Sequence, residues 1–354
     1  MRSTVQTHGE RVVRATSDLH LSQRTAAWVF EALEALLVDD QEHGGVTVLV
    51  GDILDQAETV HMPTFNRFRD TLTRFKGEVY IVAGNHDQYA GARNALESLD
   101  RLANFANRTN IRVISYPEVT SVGLMIPYQY SSAEFWKAVG ALKKGENGDA
   151  KCWWVHQGWK GSYVNSMRRD MDGLSCNKVT AEMVISGHYH MPQNLGSIIY
   201  CGSPYETSFA EEGQKKGWLR WEKFPMGWPC GEPDVPERIT YNLSAPKHYT
   251  VLWDLGGDNP KAPPEMKAGD RVRVIVNGTR EAVKQKSRVL KDAGLEGASI
   301  IAESRASQRR LVDRNSNPQE AVFQYVNRVY GPDGERMQPA NLLAWADEVG
   351  LWQS

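Results

Sequence analysis

The chain has no run approaching the roughly 18 consecutive apolar residues needed to span a bilayer, and its first twenty residues carry neither an apolar core nor a small-residue cleavage site. A cytoplasmic protein without a membrane partner is the expectation. Cysteine is scarce. Cys152, Cys176, Cys201 and Cys230 are irregularly spaced and form no CxxC pair, which argues against a zinc knuckle or a disulfide framework and leaves reduced, mostly buried thiols. Neither sign of charge dominates: the net charge is -2 over 354 residues, so any nucleic-acid surface has to be local. Internal repeats and low-complexity tracts are also missing. The remainder is ordinary, with 41% hydrophobic and 24% charged residues, a composition that supports a packed core. The length allows one large domain with one or two smaller ones.

The first half alternates apolar runs with helical patterns, as an α/β sheet does. Strands are expected at Arg11–Thr16, Val46–Val50 and Val79–Ala83, with helices at Ala26–Val38, Pro63–Phe75 and near Ala92–Ala103. After Ile111 closely spaced strands follow, at Ile111–Ile114, Val119–Ile126, Cys152–Val155, Met183–Ile185, Ile198–Tyr200 and Trp218–Trp221. That change of rhythm predicts two sheets packed face to face with helices outside. A Pro- and Gly-rich break between about Phe224 and Pro264 contains one strand, Tyr249–Leu255. Beyond it Arg271–Val276, Glu281–Ala293 and Ser299–Ala302 read as strand, helix and strand, and Asn317–Val329 and Pro339–Val349 as terminal helices.

Five short motifs fall where predicted strands end: Ser17-Asp18-Leu19-His20, Gly51-Asp52-Ile53-Leu54-Asp55, Gly84-Asn85-His86-Asp87, Val155-His156-Gln157-Gly158 and Gly187-His188-Tyr189-His190. Loops at strand ends are where α/β proteins carry function. Asp-x-His and His-x-His each put two donors on one side of an extended segment. A single such pair is weak evidence, since a lone histidine is usually a solvated or packed one. Of the nine histidines, however, five belong to these motifs, namely His20, His86, His156, His188 and His190. Mixed imidazole and carboxylate donors favour transition metals such as Mn²⁺ or Fe²⁺ over an all-oxygen cage. No thiolate is among them, so a closed structural zinc site is not expected.

The order DxH, GDxxD, GNHD, H, GHxH resembles the signature of calcineurin-like metallophosphoesterases over residues 11–205. The resemblance implies an α/β fold, a two-sheet sandwich flanked by helices, and two divalent ions, with Mn²⁺ expected. It also implies the ligands: Asp18, His20 and His190 for one ion, Asn85, His156 and His188 for the other, and Asp52 bridging. His86 would face the scissile phosphate instead of a metal, with Asp87 and Asp55 beside it as candidate catalytic residues. Asp87 could orient His86 or cap the helix expected near Ala92. Asp55 follows the bacterial and phage pattern, where other relatives carry histidine. Phosphodiester hydrolysis needs a strong nucleophile at neutral pH and neutralised phosphoryl oxygens, and two ions roughly 3.5–4 Å apart supply both.

Within that superfamily the segment Tyr200-Cys201-Gly202-Ser203-Pro204, with Ser208-Phe209 and Lys216-Gly217, is similar to the SbcD-type DNA nuclease subunit of double-strand-break repair. That likeness implies an exonuclease and endonuclease in a DNA repair and recombination complex. Its partners would be DNA, an SbcC-like SMC-type ATPase and a second copy of the chain. The domains would be a nuclease domain at 1–245, a small α/β DNA-capping domain at 246–310 and C-terminal helices at 311–354 that bind the ATPase. Charge supports the capping domain independently. Residues Arg271 to Arg314 hold eleven Lys or Arg against five Asp or Glu, a net +6, whereas residues 315–354 are net -3. Arg305, Arg309 and Arg310 are the candidate DNA contacts. A solvated basic loop is the plainer alternative there, docking of the tail on the chain itself is the alternative to partner binding, and a small-molecule phosphatase is the alternative substrate class.

Overall fold

The computed structural model describes residues 9–89, 93–97, 110–143, 150–166, 168–226, 233–255, 258–277, 287–295 and 297–303. In chain order the elements are β1 (Glu10–Thr16), α1 (Ala26–His43), β2 (Val46–Val50), α2 (Met62–Leu72), β3 (Glu78–Val82), β4 (Gln88–Tyr89), β5 (Arg93–Asn94), β6 (Ile111–Ile114), β7 (Glu118–Thr120), β8 (Gly123–Ile126), α3 (Ser132–Leu142) and β9 (Cys152–His156). They continue with β10 (Tyr163–Asn165), β11 (Arg168–Arg169), β12 (Met183–Gly187), β13 (Gln193–Leu195), β14 (Ile198–Tyr200), β15 (Gly217–Pro225), β16 (Glu237–Thr240), β17 (His248–Asp254), β18 (Arg271–Asn277), α4 (Ser287–Asp292) and β19 (Ser299–Glu303). The described residues fall into two compact units, one within Met1–Asn165, Arg169–Thr207 and Gln214–Ala245, the other within Ser166–Arg168, Ser208–Gly213 and Pro246–Ser354.

The first unit is the expected two-sheet α/β sandwich. One six-stranded sheet runs β16-β15-β1-β2-β3-β6 and the other β13-β14-β12-β9-β8-β7. Within them β1, β2, β3 and β6 are mutually parallel, as are β14, β12, β9 and β8. Parallel strands covered on both faces read as unbroken apolar runs, and β2 (VTVLV) and β9 (CWWVH) are buried throughout. Alternation divides each strand between two cores. Val46, Val48 and Val50 meet Cys152, Trp154 and Ile185 between the sheets. On the outer faces Leu49 joins the layer of α1 and α2, and Trp153 and Val155 join that of α3. Trp154 is the central plug: wholly buried, edge-on to Trp221 at 5.6 Å, its indole N–H satisfied by the Val122 carbonyl at 2.8 Å.

The second unit has a parallel sheet, β17-β18-β19, whose Trp253, Val274 and Val276 pack with Leu290 and Leu295. No helix among the described residues is long and apolar enough to cross a membrane.

Two sequence expectations change, and one helix is additional to them. Of the helix expected near Ala92–Ala103, residues 93 and 94 form strand β5 paired to β4, with Asn94 donating to Ser115 Oγ across the fold and accepting locally from Leu96 N; residue 97 is helical, and residues 98–109 lie outside the described residues. Val119–Ile126 is a hairpin, β7 and β8, turning at Ser121-Val122 into Gly123 at φ 125°. Helix α3 has no counterpart among the sequence expectations. Its signal is a capping box, Ser131 accepting from the Glu134 N–H at 3.2 Å, and Phe135 and Val139 bury its inner face.

Candidate metal centre

Each parallel strand that bears a motif releases it at its carboxyl end, where open α/β sheets form their binding crevices. β1 leads to Asp18 and His20, β2 to Asp52 and Asp55, β3 to Asn85 and His86, β9 ends on His156, and β12 leads to His188 and His190. The loops after β1 and β2 keep pairing beyond their strands: Asp18 N to Gly51 O at 3.0 Å, His20 N to Asp52 O at 3.0 Å and Leu21 N to Ile53 O at 2.8 Å. The backbone is strained there. Among the described residues the non-glycine positions with positive φ are Asp18 (54°), His20 (46°), Asp52 (50°) and His188 (87°), all of them motif residues. Such conformations cost on the order of 1–3 kcal/mol each and persist where surrounding structure enforces them, characteristically at functional sites.

Two glycines let the loops converge. A Cβ on Gly84 would lie 2.2 Å from both the backbone N and Oδ1 of Asp52, and one on Gly51 would lie 2.1 Å from His156 Nδ1. No other residue admits that approach.

The donors assemble in overlapping groups: Asp18, His20 and His190; Asp52, His156 and His188; and His20, Asp52 and His86, each with its ligand atoms within 4.8 Å of one another. His20 Nε2 lies 3.0 Å from His190 Nε2, His188 Nδ1 lies 2.9 Å from Asn85 Oδ1, and His156 Nε2 lies 3.2 Å from Asp52 Oδ1. Two donors sharing one ion at about 2.1 Å each sit about 3 Å apart, so these spacings suit divalent ions. His156 supplies the sharpest test of fit. It is wholly buried, its Nδ1 is held by the Val50 carbonyl at 2.8 Å, and Nε2 makes no hydrogen bond, as a ring oriented to ligate should. Thr207 Oγ1 fixes the Nδ1 of His190 at 3.0 Å in the same manner.

Electrostatics sort the rings. Burial, and then the neighbouring His190, push His20 down to about 3; burial, and then His156, push His188 down to about 4. Burial would also depress His156, but the negative charge of Asp52, 3.2 Å from Nε2, outweighs it and raises the ring to about 9. Asp52 in turn is held below the usual carboxylate range although burial opposes this, with His156 the main cause, while burial raises Asp18. Without metal, His156 and Asp52 therefore form a buried ion pair. A ring raised above its ordinary 6.5 to about 9 lends stability that is complete below pH 6.5 and fades as pH rises through 9. Chelator-treated protein should accordingly melt at progressively lower temperature from pH 6.5 to 9, and His156→Gln should flatten that slope. An equal slope in both proteins would contradict the ion pair.

Residues 12–192 match the family of calcineurin-like phosphoesterases. The chain belongs to that family. Metal-dependent hydrolysis of a phosphoester is accordingly its activity class, and the histidine and aspartate clusters are where calcineurin-like phosphoesterase chemistry would take its divalent ions. No curated protein matches the sequence. Among solved structures, the Plasmodium GAP50, described as the anchor in the inner membrane complex, is 11% identical, the match covering 67% of this chain and 90% of that one at a TM-score of 0.37. The purple acid phosphatase PPD1 from yellow lupin (Lupinus luteus) seeds is also 11% identical, covering 62% of this chain and 50% of that one at a TM-score of 0.39.

The three candidate catalytic residues of this phosphoesterase occupy different places. His86 stands at the rim, 42% exposed, its Nε2 4.0 Å from Asp52 Oδ2. Its Nδ1 faces the backbone carbonyl of Asp55 at 2.7 Å, and its own N–H donates to Asp52 Oδ1 at 2.9 Å. Asp55 is half exposed, with its carboxylate 3.9 Å from His20 Nδ1. Asp87 does neither of the things expected of it. It is wholly buried and accepts from Leu54 N and Gly84 N, both at 2.8 Å, and from Ile53 N at 3.2 Å, clamping the Asp52 loop to the Asn85 loop. Burial first and Asp52 second raise it to about 7. Truncation to Asp87→Ala strands three buried N–H groups at about 1–3 kcal/mol each, so a loss of at least ~6 °C in melting temperature is expected. A variant that melts normally but has lost turnover would restore the orienting role.

Arg305, Arg309 and Arg310, like the tail helices, lie outside the described residues. Two further residues were not foreseen as part of the site. Thr207 anchors His190, and the buried Lys216 donates to the His190 carbonyl at 2.8 Å and to Ser203 Oγ at 3.0 Å. Both fall in the stretch after GHxH, where their hydrogen bonds to the second histidine cross 17 and 26 residues.

Proposed function

We propose that the chain is a Mn²⁺-dependent DNA exonuclease and endonuclease of SbcD type, hydrolysing phosphodiesters at a two-ion site. It would work with an SbcC-like SMC-type ATPase, as a homodimer, in DNA repair and recombination. Asp18, His20 and His190 would hold one ion, Asn85, His156 and His188 the other, and Asp52 would be shared. Two ions so held supply a nucleophile from water at neutral pH and neutralise the phosphoryl oxygens. With Nδ1–H donated to the Asp55 carbonyl, His86 would present Nε2 to the phosphate and, as the imidazolium, would donate its second proton to the leaving oxygen. Val50, Thr207 and Lys216 keep the histidines in place.

The observation that favours DNA over a small phosphoester lies beyond the residues shared with the family. From Pro246 onward a separate compact unit carries the segment Arg271–Arg314 at net +6, in a chain whose overall charge is -2. A local basic surface serves phosphate contacts, and a small-molecule hydrolase has no use for one. Residues 246–310 would cap DNA, with Arg305, Arg309 and Arg310 as contacts, and 311–354 would bind the ATPase. The test compares hydrolysis of linear duplex DNA with that of p-nitrophenyl phosphate under Mn²⁺. Efficient release of nucleotides from duplex ends supports the nuclease. Turnover of the small ester alone assigns a phosphatase.

A further inference from the structure

Not every parallel strand at the metal edge ends in a ligand. β8, hydrogen-bonded between β9 and the hairpin strand β7, gives way to Pro127-Tyr128-Gln129-Tyr130. These aromatics are held by a fixed backbone. Tyr128 N–H donates to the Ala83 carbonyl at 2.9 Å, Gln88 Nε2 donates to the Tyr128 carbonyl at 3.1 Å, and Gln157 Nε2 donates to the Gln129 carbonyl at 3.1 Å. The first two tie the segment to β3 and its GNHD loop, the third to the residue after His156.

The rings lead outward from the metal residues. Tyr128 is tilted 33° to His188 with centroids 5.7 Å apart, and lies 6.4 Å from His156. Tyr130 stands edge-on to Tyr128 at 5.3 Å and is 57% exposed. An aromatic surface thus starts one ring's width from two of the histidines and ends in solvent. Fold packing accounts for the half-buried Tyr128 but not for Tyr130, whose ring is left largely uncovered on a rigid loop. We propose that Tyr128 and Tyr130 form a stacking platform for the nucleobase flanking the scissile phosphate, admitting any unpaired base by its π-face. The proposal rests on the nuclease reading above. Stacking of this kind is tolerant of sequence, and it requires the base to be unpaired at the site, so single strands and frayed ends are the substrates it serves.

The test uses the full chain with Mn²⁺ and two oligodeoxynucleotides, one normal and one with abasic sugars on both sides of a single phosphate. Tyr130→Ala should lower kcat/KM at that phosphate roughly 5- to 50-fold on the normal strand, mostly through KM, and at least about fivefold more than on the abasic strand. Tyr130→Phe, which keeps the ring, should stay within about twofold of the unaltered protein. Equal losses on both strands, or a Phe variant as impaired as Ala, would overturn the platform and leave the nuclease standing. If the unaltered protein cleaves neither strand but releases nucleotides from duplex ends, the platform falls and the nuclease stands. If it cleaves no DNA, single- or double-stranded, yet hydrolyses p-nitrophenyl phosphate, the nuclease reading fails and the platform falls with it.

Discussion

Replacing Asp52 with asparagine should cost both the ions and the activity. Its carboxylate reaches donors of every group: Oδ1 lies 3.2 Å from His156 Nε2, and Oδ2 lies 4.0 Å from both His20 Nε2 and His86 Nε2. A neutral amide of the same shape removes the negative charge between two cations and leaves the raised His156 without its partner. The expected result is a fall from two ions per chain to fewer than one by elemental analysis. Phosphoester turnover should drop by about 10³-fold or more, the equivalent of several kcal/mol of lost charge stabilisation. Full ion content in Asp52→Asn would remove Asp52 from the shared position.

His86→Gln should behave in the opposite way. With Nδ1 on a backbone carbonyl and the ring at the rim, His86 can lose its imidazole without dismantling the buried donors. Turnover should fall by about 10²- to 10⁴-fold, the range for a positioned acid or base, with both ions retained. The side chain also converges with His20 and Asp52 closely enough to share an ion. Loss of one ion per chain in this variant would therefore make His86 a ligand and remove it from the phosphate.

Much of this was legible in residue order because the chemistry sits directly behind apolar strands. β2, β6 and β14 run between the residues their patterns predict, and all five motifs, four of them histidine-bearing, sit at a strand end. Pattern failed where tertiary contacts override it. Asp87 is adjacent to His86 in sequence, yet its partners Ile53 and Leu54 are 34 and 33 residues away, so its clamp could not be read from the GNHD motif. The left-handed backbone at Asp18, His20, Asp52 and His188 is likewise invisible in sequence, since none of the four is glycine. Helix α3 is a different case: Ser131 and Glu134 announce it, and the strand-rich surroundings obscured the signal.

If Asp18, His20, Asp52, Asn85, His156, His188 and His190 together hold two ions, the ions can be counted by calorimetric titration of the chelator-treated full chain with Mn²⁺. Saturation is expected at two ions per chain, falling below one in Asp52→Asn and staying at two in His86→Gln. Saturation at a single ion, or no uptake by a folded chain, would contradict the two-ion site.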